Sequence, residues 1–508
     1  MANHLFGQIR DRMPGRDAVF AALDAGRRYT YGDVLDVSAR FANVFVDLGV
    51  KPGDRIAVQV EKSIEALMLY LAAVRAGAVF LPLNVAYTPA EIAYFTGDAE
   101  PAVFVCDPGK AGALGDVAAK AGAKLETLGV WHSPDVSAGT LSDRALAAPA
   151  VFDDVPRGPD DLAAILYTSG TTGRSKGAML SHENLASNAR VLAEAWRFTR
   201  EDVLLHALPI FHTHGLFVAT NTILFAGASM LFRPKFDADD VMRLLPQATA
   251  LMGVPTFYTR LLQHPGLTRE ATAHMRLFVS GSAPLLAETH AEFERRTGHA
   301  ILERYGMTET NMNASNPYEG PRVAGTVGSP LPGVEIRITD PASGAVLPQG
   351  EVGMIEVRGP NVFRGYWRMP EKTAEEMRAD GFFITGDLGS FDEAGYLSIS
   401  GRGKDLIITG GFNVYPKEVE AEIDLIEGVA ESAVIGLPHK DFGEGVTAVV
   451  VLKPGAMMGE ADVLAHLGTR LAKFKLPKRV IFADDLPRNT MGKVQKAAMR
   501  QAHAGLYD

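Results

Sequence analysis

Apolar and polar positions alternate in two rhythms along the first half of the chain. From Tyr31 to Leu48 apolar residues recur at helical spacing, and Lys51-Pro52-Gly53-Asp54 then makes a turn. Arg55 to Val60 reads as a strand, Ser63 to Ala76 as a helix, and Gly77 to Pro82 as the next strand. The same alternation returns at Ala250–Val254 and Leu277–Ser280. Short Val/Ile/Ala strands separated by helices predict parallel sheets covered on both faces.

Near residue 320 the texture changes. Between Gly325 and Ile399 short β-rich runs are separated by Pro-Gly, Ser-Gly and Asp-Gly turns, which predicts a small twisted or barrel-like β unit. From about Lys404 the pattern predicts a helix at Pro416–Ile426, strands at Glu431–Gly436 and Thr447–Leu452, a helix at Gly459–Leu471 and a strand at Arg479–Phe482. The expected division is a large domain, 1–402, with its β-rich part at about 325–400, and a small α+β domain, 403–508. No internal repeat is evident.

Composition narrows the class. At 508 residues, 47% hydrophobic and 22% charged, the chain reads as folded, with room for several domains. Fifty basic against sixty acidic side chains argue against a general nucleic-acid binder. Cys106 is the only cysteine, which excludes an internal disulfide; in Ala-Val-Phe-Val-Cys it reads as a core thiol. Val203 to Phe232 carries no Asp, Glu, Lys or Arg and exceeds the roughly 20 residues that span a bilayer. His206, Pro209, His212, His214 and Asn221 within it favour a buried strand–loop–helix instead. The start lacks a signal-peptide core, so a cytoplasmic protein without a membrane partner is expected.

The chemistry-bearing string is Leu166-Tyr-Thr-Ser-Gly-Thr-Thr-Gly-Arg-Ser-Lys-Gly-Ala178. A strand, Leu162–Tyr167, runs into glycines interleaved with hydroxyls, with Lys176 near the end and a helix expected from His182 to Trp196. Glycines let backbone N–H groups close on an anion, and hydroxyls and Lys176 add donors, which suits a polyphosphate. The G-x-x-x-x-G-K-[ST] spacing does not fit Gly170 or Gly173. A flexible Gly/Ser/Thr linker is the bland alternative, and the ordered flanks disfavour it.

Thr168 to Gly177 resembles the phosphate loop of the acyl-adenylate-forming enzymes: acyl-CoA synthetases, amino-acid adenylation domains and luciferases. Further matches follow in the same order and extend the resemblance over essentially the whole chain. They are Tyr305-Gly-Met-Thr-Glu309, Thr385-Gly-Asp387, Gly401-Arg402-Gly-Lys-Asp405, Gly410-Gly-Phe-Asn-Val-Tyr-Pro416 and Pro487-Arg-Asn-Thr-Met-Gly-Lys493. The resemblance implies an α/β fold: a large N-terminal domain of two doubly wound αβ subdomains plus the β-barrel-like unit, hinged to a small α+β C-terminal domain. It also implies a two-step reaction. A carboxylate attacks the α-phosphate of ATP and expels pyrophosphate, and the acyl group then passes to the thiol of CoA.

Residue by residue, the resemblance implies that Thr168, Ser169, Gly170, Thr171, Thr172, Gly173 and Lys176 hold phosphates. Thr308 meets the α-phosphate and Glu309 holds Mg²⁺. Ser280, Gly281, Ser282, Glu303, Arg304 and Tyr305 shape the adenine pocket, and Asp387 with Arg402 holds the ribose hydroxyls. Lys493 becomes a mobile cation between the acid and the α-phosphate, Lys404 a backbone hinge, and Gly410 and Gly411 the passage for the pantetheine arm. Taken singly, Glu309 would be an exposed carboxylate, Asp387 a turn residue, Lys493 a solvated lysine and Gly410-Gly411 a tight turn. Lys473, Lys475, Lys478 and Arg479 read as a solvated face or as contacts for CoA phosphates.

The acid is sought in His206-Ala-Leu-Pro-Ile-Phe-His-Thr-His-Gly215, Met252–Arg260 and Ser280–Ser282. A helix is expected to start with Thr256 near its N-cap, which places Arg260 one turn on, beside Phe257. A guanidinium on a pocket-facing helix is costly unless it meets an anion, and a second substrate carboxylate would supply one. These segments resemble the malonyl-CoA synthetases. That implies Arg260 at the distal carboxylate of malonate with Ser280 helping, His212 as a gate beside the acyl pocket, and His206 as a lining residue or an ordinary buried histidine. Methylmalonate is expected to be accepted too, since a methyl changes pocket energy by only about 1–3 kcal/mol. The implied partners are malonate, ATP and CoA, with a lysine acetyltransferase and deacetylase acting on Lys493. The readings left beside malonate ligation are a synthetase for a short monocarboxylic or aryl acid, an amino-acid adenylation domain, and a non-catalytic sensor that keeps the fold.

Overall fold

Thr30, Ser63, Thr88 and Ser181 each precede a helix and accept a hydrogen bond from its third backbone N–H, fixing where Tyr31–Asp47, Ile64–Arg75, Pro89–Ala99 and His182–Ala195 begin. The structure, a computed structural model, describes residues 3–23, 26–129, 139–168, 175–409, 412–471, 473–489 and 492–507. It comprises two compact units: Met1–Ala324 with Gly328–Glu335 and Val357–Phe383, and Gly325–Val327 with Ile336–Glu356 and Ile384–Asp508.

The first unit holds two sheets. One has six strands in the order Lys124–Thr127, Val103–Cys106, Arg55–Gln59, Val79–Pro82, Leu162–Thr168, Lys176–Ser181; all neighbours are parallel except the last pair. The other has nine, with a parallel centre in the order Leu302–Met307, Leu277–Ser280, Ala250–Gly253, Val203–His206, Ser229–Phe232, Val19–Ala22. Helix Ile64–Arg75 is buried at every position, and its two charged side chains are paired: Glu65 Oε1 accepts from the Tyr29 hydroxyl at 3.1 Å and Arg75 Nε lies 2.6 Å from Asp154 Oδ1. Cys106 lies in the core of the six-stranded sheet with its thiol pushed up to about 11 by burial, so it is inert.

The second unit holds most of a four-stranded sheet, Glu335–Thr339, Gly353–Arg358, Phe383–Phe391 and Leu397–Arg402, and a five-stranded sheet whose core pair is Val429–His439 and Gly443–Leu452. Val434, Val446, Val450, Val463 and Leu467 bind that sheet to its helices.

Four local expectations are corrected. Lys176 and Gly177 belong to a strand, Lys176–Ser181, that pairs antiparallel with Leu162–Thr168 and comes before the helix His182–Ala195. Gly177 is required there, because a Cβ would come within 2.9 Å of Ile165. The helix after Ala250–Gly253 has Val254 at its N-cap position, with no side-chain cap, and Pro255 at its first position, where proline loses no hydrogen bond; Thr256 is already inside. The pair Val429–His439 and Gly443–Leu452 outruns the predicted strands because Pro438 is tolerated near the strand end. Pro370–Glu376 forms a short helix within the expected β-rich stretch. The uncharged run 203–232 is strand Val203–His206, a π-helical turn His214–Thr220, helix Asn221–Ala226 and strand Ser229–Phe232. Among the described residues no helix is long and apolar enough to cross a membrane.

Candidate active site

In the first unit, the parallel strands deliver the chemistry-bearing residues at their C-terminal ends, where open α/β sheets leave their crevices. Strand Leu302–Met307 carries Glu303, Arg304 and Tyr305, and Thr308 and Glu309 follow in the turn. A Cβ on Gly306 would come within 1.9 Å of the Asn311 carbonyl oxygen, so the tight return of the chain demands glycine. Thr308 is half-buried, while Glu309 is 5% exposed. The Glu309 backbone carbonyl accepts from Phe363 N–H at 2.7 Å and its Oε1 accepts from the Tyr366 hydroxyl at 3.1 Å. Glu303 is buried with its Oε1 3.4 Å from His290 Nδ1, and Tyr305 is buried as well.

Arg304 is the unusual member. It is 3% exposed, and its Nε and one terminal nitrogen, Nη2, have no hydrogen-bond partner among the described residues. Gly281 makes the room: a Cβ there would sit 2.4 Å from Arg304 Cζ. Burial pulls the guanidinium pKa down to about 9, which leaves it charged at neutral pH. Ser280 Oγ is likewise buried and unpartnered among the described residues, as is His214 Nε2. Ser282, held at φ +73°, places its hydroxyl 3.2 Å from His214 Nδ1. Burial, then the nearby Arg304 charge, holds the His214 pKa well below the ordinary value, so its ring is neutral. Arg304 and His214 thus lie in one electrostatic field, each with a buried nitrogen that has no partner among the described residues.

Arg260 is placed differently from its expectation. Its helix, Pro255–Gln263, buries Phe257, Tyr258 and Leu261, and Arg260 is exposed. A solvated guanidinium needs no counter-ion, so the burial argument that singled it out passes to Arg304. His206 is buried with both ring nitrogens in use: Lys62 Nζ donates to Nδ1 at 3.1 Å, and Nε2 lies 2.9 Å from the Gly215 carbonyl oxygen. These contacts are those of a buried, hydrogen-bonded histidine. His212 is half-buried, and its Nδ1 accepts from His214 N–H at 3.3 Å. On the hairpin, Thr168 Oγ1 donates to the Lys176 carbonyl at 3.4 Å, and Lys176 Nζ lies 3.0 Å from Glu376 Oε1. Ser169, Gly170, Thr171, Thr172 and Gly173 lie outside the described residues.

The second unit gathers its own group. Asp387 and Arg402 face each other across antiparallel strands, with Arg402 Nε 2.8 Å from Asp387 Oδ1. Asp387 is buried, and its backbone N–H donates to Thr385 Oγ1 at 3.0 Å. Lys493 is half-buried, its N–H bonded to Asn489 Oδ1 at 2.9 Å. Burial, then repulsion from Arg402, lowers its pKa, with Asp387, Lys404 and Asp405 in the same field. Burial lowers Lys404 too. Gly410 and Gly411 lie outside the described residues.

Sequence reasoning missed Tyr366, Glu376, Lys62 and the role of His214; only His214, inside the quoted histidine run, had a local signal.

This geometry can be set beside known proteins. The family model for the AMP-binding enzymes matches residues 7–367, and that for the AMP-binding enzyme C-terminal domain matches 418–493. The chain belongs to the AMP-binding enzymes. Within that family it is 34% identical to a malonate–CoA ligase of Arabidopsis thaliana, over 94% of this chain and 85% of that protein. It is 37% identical to a feruloyl-CoA synthase of Amycolatopsis, over 95% of each. The crystal structure of ATP-bound MatB from Rhodopseudomonas palustris shares 62% identity and a TM-score of 0.97 over 100% of both chains. The acyl-adenylate-forming resemblance and the α/β architecture with a large N-terminal and a small C-terminal part are thereby established for this AMP-binding enzyme.

Proposed function

We propose that the protein is an ATP-dependent malonyl-CoA synthetase: malonate, ATP and CoA give malonyl-CoA, AMP and pyrophosphate through malonyl-adenylate. The observation that carries the choice of acid is the buried guanidinium of Arg304, two of whose nitrogens have no partner among the described residues. Burying an uncompensated cation is costly, and a carboxylate that accepts from it twice removes the cost. Malonate brings two carboxylates, one to be activated and one for Arg304, with Ser280 and His214 as further partners. The malonate–CoA ligase relative supports the same acid. The feruloyl-CoA synthase relative raises the aryl reading, but an uncharged acyl end would leave Arg304 unpaired.

The remaining roles are those that the resemblance to the acyl-adenylate-forming enzymes implies, and charge supports the phosphate ones. Two anions must meet at the α-phosphate, so cations and donors must converge there. Lys176 with Thr168, Ser169, Gly170, Thr171, Thr172 and Gly173 takes the phosphate chain, Thr308 the α-phosphate, Asp387 with Arg402 the ribose, and Lys493 the attacking carboxylate. Glu309 fits Mg²⁺: it is a buried hard oxygen donor, and among the described residues no group of three His, Cys, Asp or Glu gathers to form a larger cage. Mg²⁺ commonly takes one or two carboxylates and keeps waters and phosphate oxygens; bound here, it would neutralise phosphate charge. His212 gates the acyl pocket, Lys404 is the pivot between 1–402 and 403–508, and Gly410-Gly411 admits pantetheine. Acetylation of Lys493 by an acetyltransferase, reversed by a deacetylase, would remove the adenylation charge.

Pyrophosphate release measured with malonate, methylmalonate, acetate, butyrate and benzoate tests the acid; turnover is expected with the first two and little with the others. Preference for benzoate or butyrate would replace the malonate reading while leaving the ligase reading intact. Gly281→Ala is expected to drive a methyl into Arg304 and raise the Michaelis constant for malonate at least about tenfold, with that for ATP changed little. Equal effects on both constants would place Arg304 with the nucleotide instead.

A further inference from the structure

Lys62 turns its side-chain nitrogen onto a histidine. It is half-buried, just before Ser63, the N-cap of helix Ile64–Arg75, and among the described residues it has no carboxylate partner. Its Nζ lies 3.1 Å from His206 Nδ1, 2.8 Å from the His206 carbonyl oxygen and 4.4 Å from the Phe232 ring centroid. The other ring nitrogen, Nε2, lies 2.9 Å from the Gly215 carbonyl oxygen. A carbonyl only accepts, so the ring proton is on Nε2 and Nδ1 is left as an acceptor for Lys62. Burial, then the Arg233 charge, lowers the Lys62 pKa well below its ordinary value, and either form of the amine keeps an N–H for Nδ1. Burial, then the Lys62 charge, keeps the His206 ring neutral.

The Gly215 carbonyl also accepts from Thr220 Oγ1 at 3.0 Å. It belongs to the π-helical turn His214–Thr220, a rare conformation that recurs at functional sites. The turn is packed tightly against Pro209, whose carbonyl oxygen would lie 2.1 Å from a Cβ on Gly215. His214, its first residue, carries the Nδ1 that meets Ser282 and a buried Nε2 with no partner among the described residues.

We propose that Lys62 is a positioning residue for malonate: by occupying His206 Nδ1 it keeps the Nε2 proton on the Gly215 carbonyl and so fixes the turn that presents His214. This rests on the malonate reading, in which His214 is a partner of the carboxylate held by Arg304. With the proton on Nδ1 instead, Nε2 would turn a lone pair toward the Gly215 oxygen. The Thr220 hydroxyl, 3.3 Å from Nε2, would then be drawn from Gly215 to the ring, and the carbonyl would lose both side-chain donors. Lys62 touches no substrate and acts only through His206.

Histidine ¹⁵N spectra of the substrate-free protein, with His206→Leu identifying the resonances, are expected to show His206 wholly as the Nε2–H tautomer. In Lys62→Met a mixture of tautomers is expected. A wild-type His206 protonated on Nδ1, or the same pure Nε2–H form in Lys62→Met, overturns the proposal. In pyrophosphate release, Lys62→Met is expected to raise the Michaelis constant for malonate about fivefold or more, with that for ATP within about twofold. Added to His206→Leu, Lys62→Met should change the malonate constant less than about twofold further, because its effect passes through the histidine. Equal changes in both Michaelis constants, or full additivity with His206→Leu, would make Lys62 a general support of the fold and overturn the proposal. Wild-type turnover with benzoate or butyrate and not malonate would overturn the malonate reading and the proposal with it, whereas the histidine spectra are read without any substrate.

Discussion

Lys493→Ala is expected to slow malonyl-adenylate formation by about 10²–10³-fold, read as pyrophosphate release without CoA. Loss of an ammonium aimed at developing negative charge is that costly because no solvent dipole replaces it in a closed site. Transfer of the acyl group from supplied malonyl-adenylate to CoA should stay within a few-fold, since that step makes no new charge at the α-phosphate. The surroundings of Lys493 add a pH signature. Burial first, then Arg402, lowers its pKa from the ordinary 10.5, while Asp387 and Asp405 oppose and Lys404 adds to the shift. A cation required for the step is lost as pH rises through its lowered pKa. The alkaline limb of adenylation should therefore fall below pH 10.5 and move up in Lys493→Arg. Equal losses in both half-reactions would strip Lys493 of this role.

Much of the architecture was legible because it is periodic. The alternation that predicts Tyr31–Asp47, Arg55–Gln59, Ile64–Arg75 and Val79–Pro82 is a local property. The hairpin partner Lys176–Ser181 was hidden because its glycine and serine carry weak strand preference, and only pairing with Leu162–Thr168 stabilises it. Motifs located Glu309, Asp387, Arg402 and Lys493, yet none could show what surrounds them. Glu376 reaches Lys176 across 200 residues, and Tyr366 reaches Glu309 across 57, so neither contact leaves a local trace. Arg260 is the opposite case, exposed on its helix. Helical spacing put it beside Phe257, but spacing alone does not say whether that side of a helix meets a pocket or water. Arg304, read as part of an adenine pocket from its neighbours, emerges as the unpaired buried cation only once Gly281 and Ser280 are seen against it.

That contrast sets a quantitative test between the two arginines. Arg304→Met removes the charge while filling most of the volume, so cavity formation contributes little. Charge-assisted hydrogen bonds to a buried partner are worth about 1.5–3 kcal/mol, so the Michaelis constant for malonate should rise about 10- to 150-fold. Arg260→Ala removes a solvated cation, for which about 0.2–1 kcal/mol is the expected scale, a change of about five-fold at most. The ligand-free protein supplies the independent check. Replacing an uncompensated buried charge by an apolar group is often neutral or stabilising, so Arg304→Met should melt no lower than the wild type without ligand. It should also lose the added protection that malonate gives. A larger malonate defect in Arg260→Ala would move the distal carboxylate to the exposed helix face. A lower melting temperature in Arg304→Met with an unchanged Michaelis constant would make Arg304 a structural cation. The expected pairing, tighter folding with weaker malonate binding, arises only if the unsatisfied guanidinium is kept for the substrate at a cost to stability.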